Sequence, residues 1–507
     1  MIAEKNKFFF YLLFIFLAAV IVRFLYFPNN VYFSFDQARD SFTSLEVLKG
    51  DFKLIGPPSF LSNKIFPGPL IYYIYAPIYF IFDKNPEAAS AIFRIWNALG
   101  VFLVFSIGSI LFNKRVGIIA AIFFAFSYEQ SQYSLFLSHQ PLAVITVLLF
   151  YLGLSLLIFQ KKSLGMVLTA TGLGLSIQFH YGFIFLLPIL IIYSIIFRKK
   201  IGFINIRWLL LSFIIFLLTI STFILTEIKY RFFSSLIFQS STKTHFFSGL
   251  YLKETLSTAN RFLHDSFFTN YQFTPLVGIV LIIITIYLFY KRQNRERIVF
   301  LIVWFVFGLS LYILSGVSSY YYSPATSVSL LLLISYSIDK IFSSGKILLG
   351  LFLIVAIVAN NLFSIVSINP HGLNSDMVIQ PEMTTSSQKK VLDYIYNEAG
   401  GKPFAVGALT IPFRINATWS YLFEWYGIKR YGYLPLWTGP AASGYAGNLE
   451  VINARSKLPE KQFIIIEPTV GIPEIDKENF FREEGYFTKL TEERKFGILT
   501  VQLRQPY

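Results

Sequence analysis

The hydrophobic pattern opens with about twenty apolar residues, Phe8 to Phe27, behind Lys5 and Lys7. A run of that length crosses a bilayer as a helix. It exceeds a signal-peptide core and lacks a small-residue cleavage site, so an uncleaved first span is expected. The stretch Tyr32 to Phe60 is polar and carries Asp36, Arg39, Asp40, Asp51 and Lys53. At helical spacing Phe35, Ala38, Phe42, Leu45 and Leu48 form an apolar face, with Asp36, Arg39, Asp40 and Thr43 mainly on the other. The spacing predicts a helix lying along the membrane surface, its carboxylates just above the lipid. Gly56-Pro57-Pro58 then turns the chain.

Phe66 to Phe82 is apolar but holds Pro67, Pro69 and Pro77, and it either spans the membrane or lies flat. If it spans, Lys114-Arg115, Lys161-Lys162, Arg198-Lys199-Lys200 and Lys291 to Arg297 all fall outside. If it lies flat, all of them share the side of Lys5 and Lys7. Basic residues mark the cytoplasmic side, so a flat juxtamembrane helix is expected. Tyr75, Tyr79 and Tyr320 to Tyr322 then read as interfacial belt residues. The remaining spans fall near 88–111, 116–137, 141–159, 164–180, 182–197, 208–226, 273–290, 298–316, 323–338 and 346–367. With 8–27 that makes about eleven crossings, a cytoplasmic N-terminus, and long outer loops at 28–87 and 227–272.

From Pro370 charge becomes frequent. A helix is expected over Ser386 to Ala399, closed by Gly400-Gly401. Short strands are expected at Phe404 to Gly407, Phe463 to Ile466 and Ile498 to Leu503. The predicted fold is thus an α-helical polytopic membrane domain over 1–368 with juxtamembrane helices, and a small extracytoplasmic α/β domain over 369–507. Asn416-Ala417-Thr418 matches a glycosylation sequon, which matters only in a host that modifies asparagine.

Composition supports the membrane reading. Of 507 residues 55% are hydrophobic and 14% charged, where a soluble domain carries about 25% charged. Fifty-seven Phe and thirty-one Tyr suit lipid-facing helices. The net charge of +15 lies between apolar runs, as orientation signals do, and does not point to nucleic acid. The chain has no cysteine, hence no disulfide and no thiolate metal site.

No phosphate-binding loop, dinucleotide fingerprint or HExxH spacing occurs. Glu129 is the deepest charge in the apolar runs, which argues against an ion-coupled carrier. Polar residues are expected to collect at the outer mouth of the bundle: Asp36, Arg39, Asp40, Lys64, Glu129, His139, Gln140, Gln178, His180, Glu227, Lys229 and Arg261. A carboxylate ringed by cations, half in lipid and half in water, suits a lipid-linked anionic substrate and an aqueous hydroxyl or amine. The carboxylate takes the acceptor's proton and the cations stabilise the departing phosphate.

The order of features resembles the GT-C superfamily of polyprenyl-phosphate-sugar glycosyltransferases. Within it the likeness is to the bacterial branch related to protein O-mannosyltransferases and to the transferases that add aminoarabinose to lipid A. The matching segments begin with Phe35-Asp36-Gln37-Ala38-Arg39-Asp40 and the Pro-rich Phe66-Pro67-Gly68-Pro69-Leu70. They continue with Leu111-Phe112-Asn113-Lys114-Arg115-Val116-Gly117, Tyr133-Ser134 with Pro141, Gln178-Phe179-His180-Tyr181 and Thr226-Glu227-Ile228-Lys229. The resemblance covers residues 8–340. Two departures stand out: the family's Asp-Glu pair reads Asp36-Gln37, and its second outer acid is replaced at His139-Gln140-Pro141. Asp40, Glu129 or Glu227 would have to supply that acid.

The resemblance implies an inverting membrane glycosyltransferase with a polyprenyl-phosphate-sugar donor, acting on a lipid, glycan or protein acceptor outside the plasma (inner) membrane. Asp36 is the expected general base, with Asp40 beside it in a direct role or paired with Arg39 or Lys64. Arg39, Lys64, His180 and Arg261 are expected to hold the donor phosphate. Glu129, Gln140, Gln178, Tyr181, Glu227 and Lys229 are supporting candidates. Asp36, Asp40 and Glu227 could offer oxygen ligands to a divalent metal. A flippase or carrier for lipid-linked sugars is the alternative, told apart by sugar transfer in detergent.

Overall fold

The apolar runs fold as helices whose lengths follow where the backbone can be capped. The computed structural model describes residues 2–57, 66–201, 205–230, 251–269, 274–290, 294–309, 323–440, 447, 449–452 and 457–507. The chain forms two compact units. One comprises Met1–Leu25, Lys53–Ile71 and Ile92–Ile368; the other comprises Tyr26–Phe52, Tyr72–Ala91 and Asn369–Tyr507. The last segment of the second unit opens at Asn369, and the earlier segments 26–52 and 72–91 cluster with it.

The described residues of the expected spans lie mostly on helices or broken pairs, and 310–316 of the expected span 298–316 lie outside the described residues. Among the described residues Pro86–Leu111, His139–Gln160 and Ile347–His371 are long and apolar enough to cross a membrane. Ile206–Thr219 with Ser221–Lys229, bent by 58°, make a fourth if they form one span. Phe8–Phe24, Leu164–Phe179, Tyr181–Ile196 and Thr274–Phe289 are shorter apolar helices. Helices His139–Gln160 and Leu164–Phe179 pack backbone to backbone. A Cβ on Gly172 would lie 2.4 Å from the Phe150 nitrogen, so only glycine permits that approach.

The run 116–137 is broken at Ser127, whose extended backbone separates Lys114–Phe126 from Tyr128–Leu135. Its hydroxyl accepts from the Gln130 N–H at 3.2 Å and so caps the second helix. The last carbonyls of the first helix are met by a buried cation from elsewhere in the unit. Arg23 donates to Ala125 O at 2.9 Å and Phe124 O at 3.2 Å, and through Nε to Asn97 at 2.7 Å. Helix ends buried in apolar surroundings need such partners.

In the second unit, Leu70–Ile81 continues from the first unit as a helix of 12 residues. Its rise is about 18 Å, where a hydrocarbon core is about 30 Å thick. Tyr75 and Tyr79 correct the belt expectation: both are buried, with Tyr79 6.2 Å from Tyr421. Tyr320 to Tyr322 lie outside the described residues.

The sheet of this unit has five strands in the order β2-β1-β3-β5-β4: β1 Ala405–Leu409, β2 Leu436–Trp437, β3 Gln462–Ile466, β4 Thr488–Phe496 and β5 Leu499–Pro506. β1 runs parallel to β2 and β3, whereas β5 is antiparallel to β3 and β4. The three expected strands are β1, β3 and β5. β4 is a charged, exposed edge without alternation, and β2 is two residues long, so neither carries a strand pattern. The expected helix is Thr385–Ala399, capped by the Thr384 hydroxyl and closed by Gly400 at φ +61°. Asn416 of the sequon is buried at the head of Ala417–Leu422.

Candidate active site

The polar segment after the first span enters the second unit through backbone pairing. Phe33 N–H donates to Met383 O at 2.8 Å, and Thr385 N–H to Val31 O at 2.8 Å. Gln388 Nε2 donates to Phe33 O at 2.7 Å. The helix Phe35–Leu48 then begins behind Ser34, whose N–H and hydroxyl donate to Gln37 Oε1 at 3.1 and 2.9 Å. Gln37, standing where the resembled family has an acid, therefore closes the helix N-terminus.

The helix buries a broader face than its apolar spacing indicates: Ala38 and Phe42 are buried as expected, and polar neighbours are buried with them. Gln37, Asp40, Ser41 and Ser44 are buried, whereas Leu48 is exposed. The reason is its neighbours in this unit. Phe42 meets Tyr421 edge-on at 5.1 Å, and Ser41 shares a hydrogen bond of 2.7 Å with the Tyr79 hydroxyl. The serines meet their remaining needs inside the helix, Ser41 on Gln37 O and Ser44 on Asp40 O, both at 2.6 Å. The buried side of the helix thus includes the expected apolar residues and the polar ones between them.

Asp36, Arg39 and Asp40 come together on this helix. Arg39 donates through Nη1 to Asp36 at 2.7 Å, and through Nε and Nη2 to Asp40 at 2.9 and 2.8 Å. The Asp36 side chain is 60% exposed and that of Asp40 only 3%. Burial pushes the Asp40 carboxyl up to about 6 against the opposing pull of Arg39. Burial opposes the charge on Arg39, but Asp40 and then Asp36 outweigh it and raise its pKa. Burial, with Asp40, also raises Tyr72, so its phenol stays protonated beside the pair. The arrangement presents an exposed carboxylate, oriented by a guanidinium that is itself fixed from beneath. Such a group can accept a proton from an incoming hydroxyl.

The other sequence candidates lie in the first unit. His139 and His180 stack with ring centres 6.2 Å apart, and His180 Nδ1 accepts from the Gly182 N–H at 3.1 Å. That bond leaves Nε2 to carry the proton of a neutral ring. Gln140 accepts from Ser138 at 2.6 Å. Gln178 donates to Thr219 O at 2.7 Å and Thr222 at 2.8 Å. A Cβ on Gly68 would collide with that amide at 1.8 Å, so the Pro-rich motif is seated directly on it. Tyr181 opens the turn after His180.

Glu129 is buried on Tyr128–Leu135 and accepts from Ser327 and, at 3.3 Å, from Ser266. Ser266 closes the helix Leu252–Ser266, which also holds Arg261 and the His264–Asp265 pair at 2.6 Å. Glu227 and Lys229 lie on Ser221–Lys229, Lys229 exposed beside Tyr230. Lys64 lies outside the described residues. Among the described residues no three His, Asp or Glu side chains gather closely enough to hold a metal ion.

Sequence reading missed two groups of buried ionisable residues. Arg23 and Arg94 look like flanking cations, yet both are buried, Arg94 donating to Arg23 O at 2.8 Å. Glu467 looks like a loop acid after a strand. It is buried and accepts from Trp419 Nε1 and Gln380 at 2.9 Å and from Ile411 N–H at 3.1 Å. Burial pushes it up to about 7 despite those donors.

Residues 67–225 match the sequence profile of the dolichyl-phosphate-mannose-protein mannosyltransferase family. No curated protein matches the chain by sequence. Among solved structures, ArnT from Cupriavidus metallidurans bound to undecaprenyl phosphate superposes with a TM-score of 0.60 at 12% identity, covering 97% of each chain. The same protein in its apo state gives 0.61 at 13% identity over 99% and 98%. The Archaeoglobus fulgidus oligosaccharyltransferase tethered to an acceptor peptide gives 0.52 at 12% identity, covering 80% of this chain and 62% of that one. This is a helical membrane protein with the GT-C fold, and across residues 67–225 it matches the mannosyltransferase family profile.

Proposed function

We propose that the protein is a membrane glycosyltransferase moving a sugar from a polyprenyl-phosphate carrier to an acceptor hydroxyl or amine on the extracytoplasmic side, with inversion at the anomeric carbon. The observation that carries this reading is the exposed Asp36 carboxylate, held by a buried arginine, in a chain of the ArnT fold. The undecaprenyl phosphate bound to ArnT and the dolichyl-phosphate-mannose of the matching family support a lipid-phosphate donor. Asp36 takes the acceptor's proton as its oxygen or nitrogen attacks the anomeric carbon. The bond from that carbon to phosphate oxygen breaks, and its electron pair leaves with the polyprenyl phosphate. Arg39 holds Asp36 and offers charge to the leaving group, while Asp40 is the positioning residue beneath it. The test is the purified protein in detergent with a polyprenyl-phosphate sugar. Sugar transfer matched by release of polyprenyl phosphate is expected, and its absence across donors and acceptors would sink the proposal.

The raised Asp40 carboxyl gives the reaction a pH dependence. Below about 6 Asp40 takes up a proton and loses its ion pair with Arg39. Arg39 then serves Asp36 alone, which lowers the basicity of Asp36. Transfer is expected to fall through an acid limb near that pH, and Asp40→Asn should be slow at neutral pH with that limb gone. The stability effect has the opposite direction. The folded carboxyl holds its proton more tightly than its ordinary value of 3.8, so its contribution to stability is lost as pH rises from there to about 6. An unchanged acid limb in the variant would remove Asp40 from this role.

The orientation is tested separately. In intact cells a cysteine replacing exposed Lys162 should resist a membrane-impermeant thiol reagent, while one replacing exposed Lys390 should react. The reverse pattern would invert the proposed topology.

A further inference from the structure

Three separated stretches of the first unit converge on a groove of about 770 Å³ lined by Lys161, Arg198, Lys199, Lys200, Arg295 and Glu296. Five cations thus face one carboxylate, and the carboxylate already pairs with Lys200. We propose that this groove holds the headgroup of an anionic phospholipid, its phosphate on the cations and its acyl chains along the neighbouring isoleucines.

Part of the basic character has a simpler origin. Lys161 follows the helix His139–Gln160, and Arg198 and Lys199 follow Leu186–Ile196, ends at which the helix dipole favours cations. Arg295 does not fit that account. It opens the helix Arg295–Gly308, the end at which the dipole opposes positive charge. Lys161 also occupies a left-handed position, φ +54°, its N–H returning to Leu156 O. Glycine is the residue that such a helix end favours. Both positions therefore keep a cation against local backbone preference, and both face the same groove.

Charge alone would serve a free phosphate equally well. The groove wall decides for lipid: Ile195 and Ile196 line it and are 63% and 46% exposed, beside the end of a helix long and apolar enough to cross the bilayer. Basic pockets between spans at this level recognise anionic headgroups.

The experiment is native mass spectrometry of the full chain in detergent, titrated with phosphatidylglycerol, phosphatidylcholine or inorganic phosphate. The wild type should retain phosphatidylglycerol in preference to phosphatidylcholine. Arg295→Gln should weaken phosphatidylglycerol about fivefold, and Lys161→Gln with Lys199→Gln and Arg295→Gln about a hundredfold, with phosphatidylcholine unchanged. Matching unfolding midpoints in phosphatidylcholine alone check that each variant is folded. If the triple variant does not fold, the exposed single changes Lys199→Gln and Arg295→Gln carry the test. Equal retention of the two lipids, or phosphatidylglycerol binding unmoved by the variants, overturns the proposal. So does inorganic phosphate displacing the lipid at comparable concentration, which would make this a site for the free anion.

Discussion

Asp36→Asn is expected to lower sugar transfer by about 10²–10⁴-fold, the contribution typical of general-base assistance. The amide keeps the size and most of the hydrogen bonding, and loses the charge and the capacity to take a proton. Folding should survive, because the Asp36 side chain is 60% exposed and an ion pair at such a position contributes little to stability. Donor affinity should change little, since this acid acts on the acceptor. Arg39→Ala should differ in kind. A guanidinium that meets phosphate does so in ground and transition states alike, so both affinity and rate should weaken. Rates and donor binding measured on the two purified variants separate these patterns. Near-normal transfer by Asp36→Asn would take the residue out of the mechanism and send the search for a base to Glu129.

The second large effect concerns stability. Arg23→Ala would strip a donor from each of Phe124 O, Ala125 O and the Asn97 amide oxygen, all in a buried setting. Each buried acceptor left unmet costs about 1–3 kcal/mol. Phe124 O keeps the Ser127 N–H at 3.4 Å, and the other two acceptors together would remove a sizeable part of a net stability of about 5–15 kcal/mol. A large fall in the unfolding midpoint of the purified protein, or in its folded yield, is expected. Arg23→Lys should recover only part of it, because an ammonium cannot reach three separate acceptors in the planar fan of a guanidinium. Wild-type stability in Arg23→Ala would show that the carbonyls are satisfied without it.

The contrast between these two residues shows what the sequence carries. The apolar helices were legible because length and hydropathy are local quantities, and the segment of Asp36, Arg39 and Asp40 stood out because it holds the first acids after the first apolar run. Arg23 was not, since a cation at the end of an apolar helix reads as an orientation signal until its carbonyl partners, 101 and 102 residues away, are in place. The helix Phe35–Leu48 was legible by its period, and so was the burial of Ala38 and Phe42, but not that of its polar residues. Asp40 read as a polar-face residue, and Ser41 and Ser44 carry no apolar signal; Tyr79 and internal bonds to the helix carbonyls meet the needs of these two serines in the interior. Gln37 read as a missing acid, because its partner is a backbone N–H that a motif does not display. β4 stayed hidden for a different reason: a charged edge strand takes its pattern from the neighbour it pairs with.

The pairing of Phe33 with Gln388 spans 355 positions of the chain, and it sets an order of events during synthesis. Ribosomes add about 5–20 residues per second, so Phe33 emerges on the order of 20–70 s before its partner exists. For that interval Gln37, Ser41 and Ser44 lack the surroundings that bury them, and the segment bearing Asp36 waits as an unassembled strand of the nascent protein. A premature stop codon downstream of Ile368 would therefore delete more than a terminal domain. It would leave the proposed base of the reaction without the scaffold on which it is built, even though every residue of that early segment had been translated.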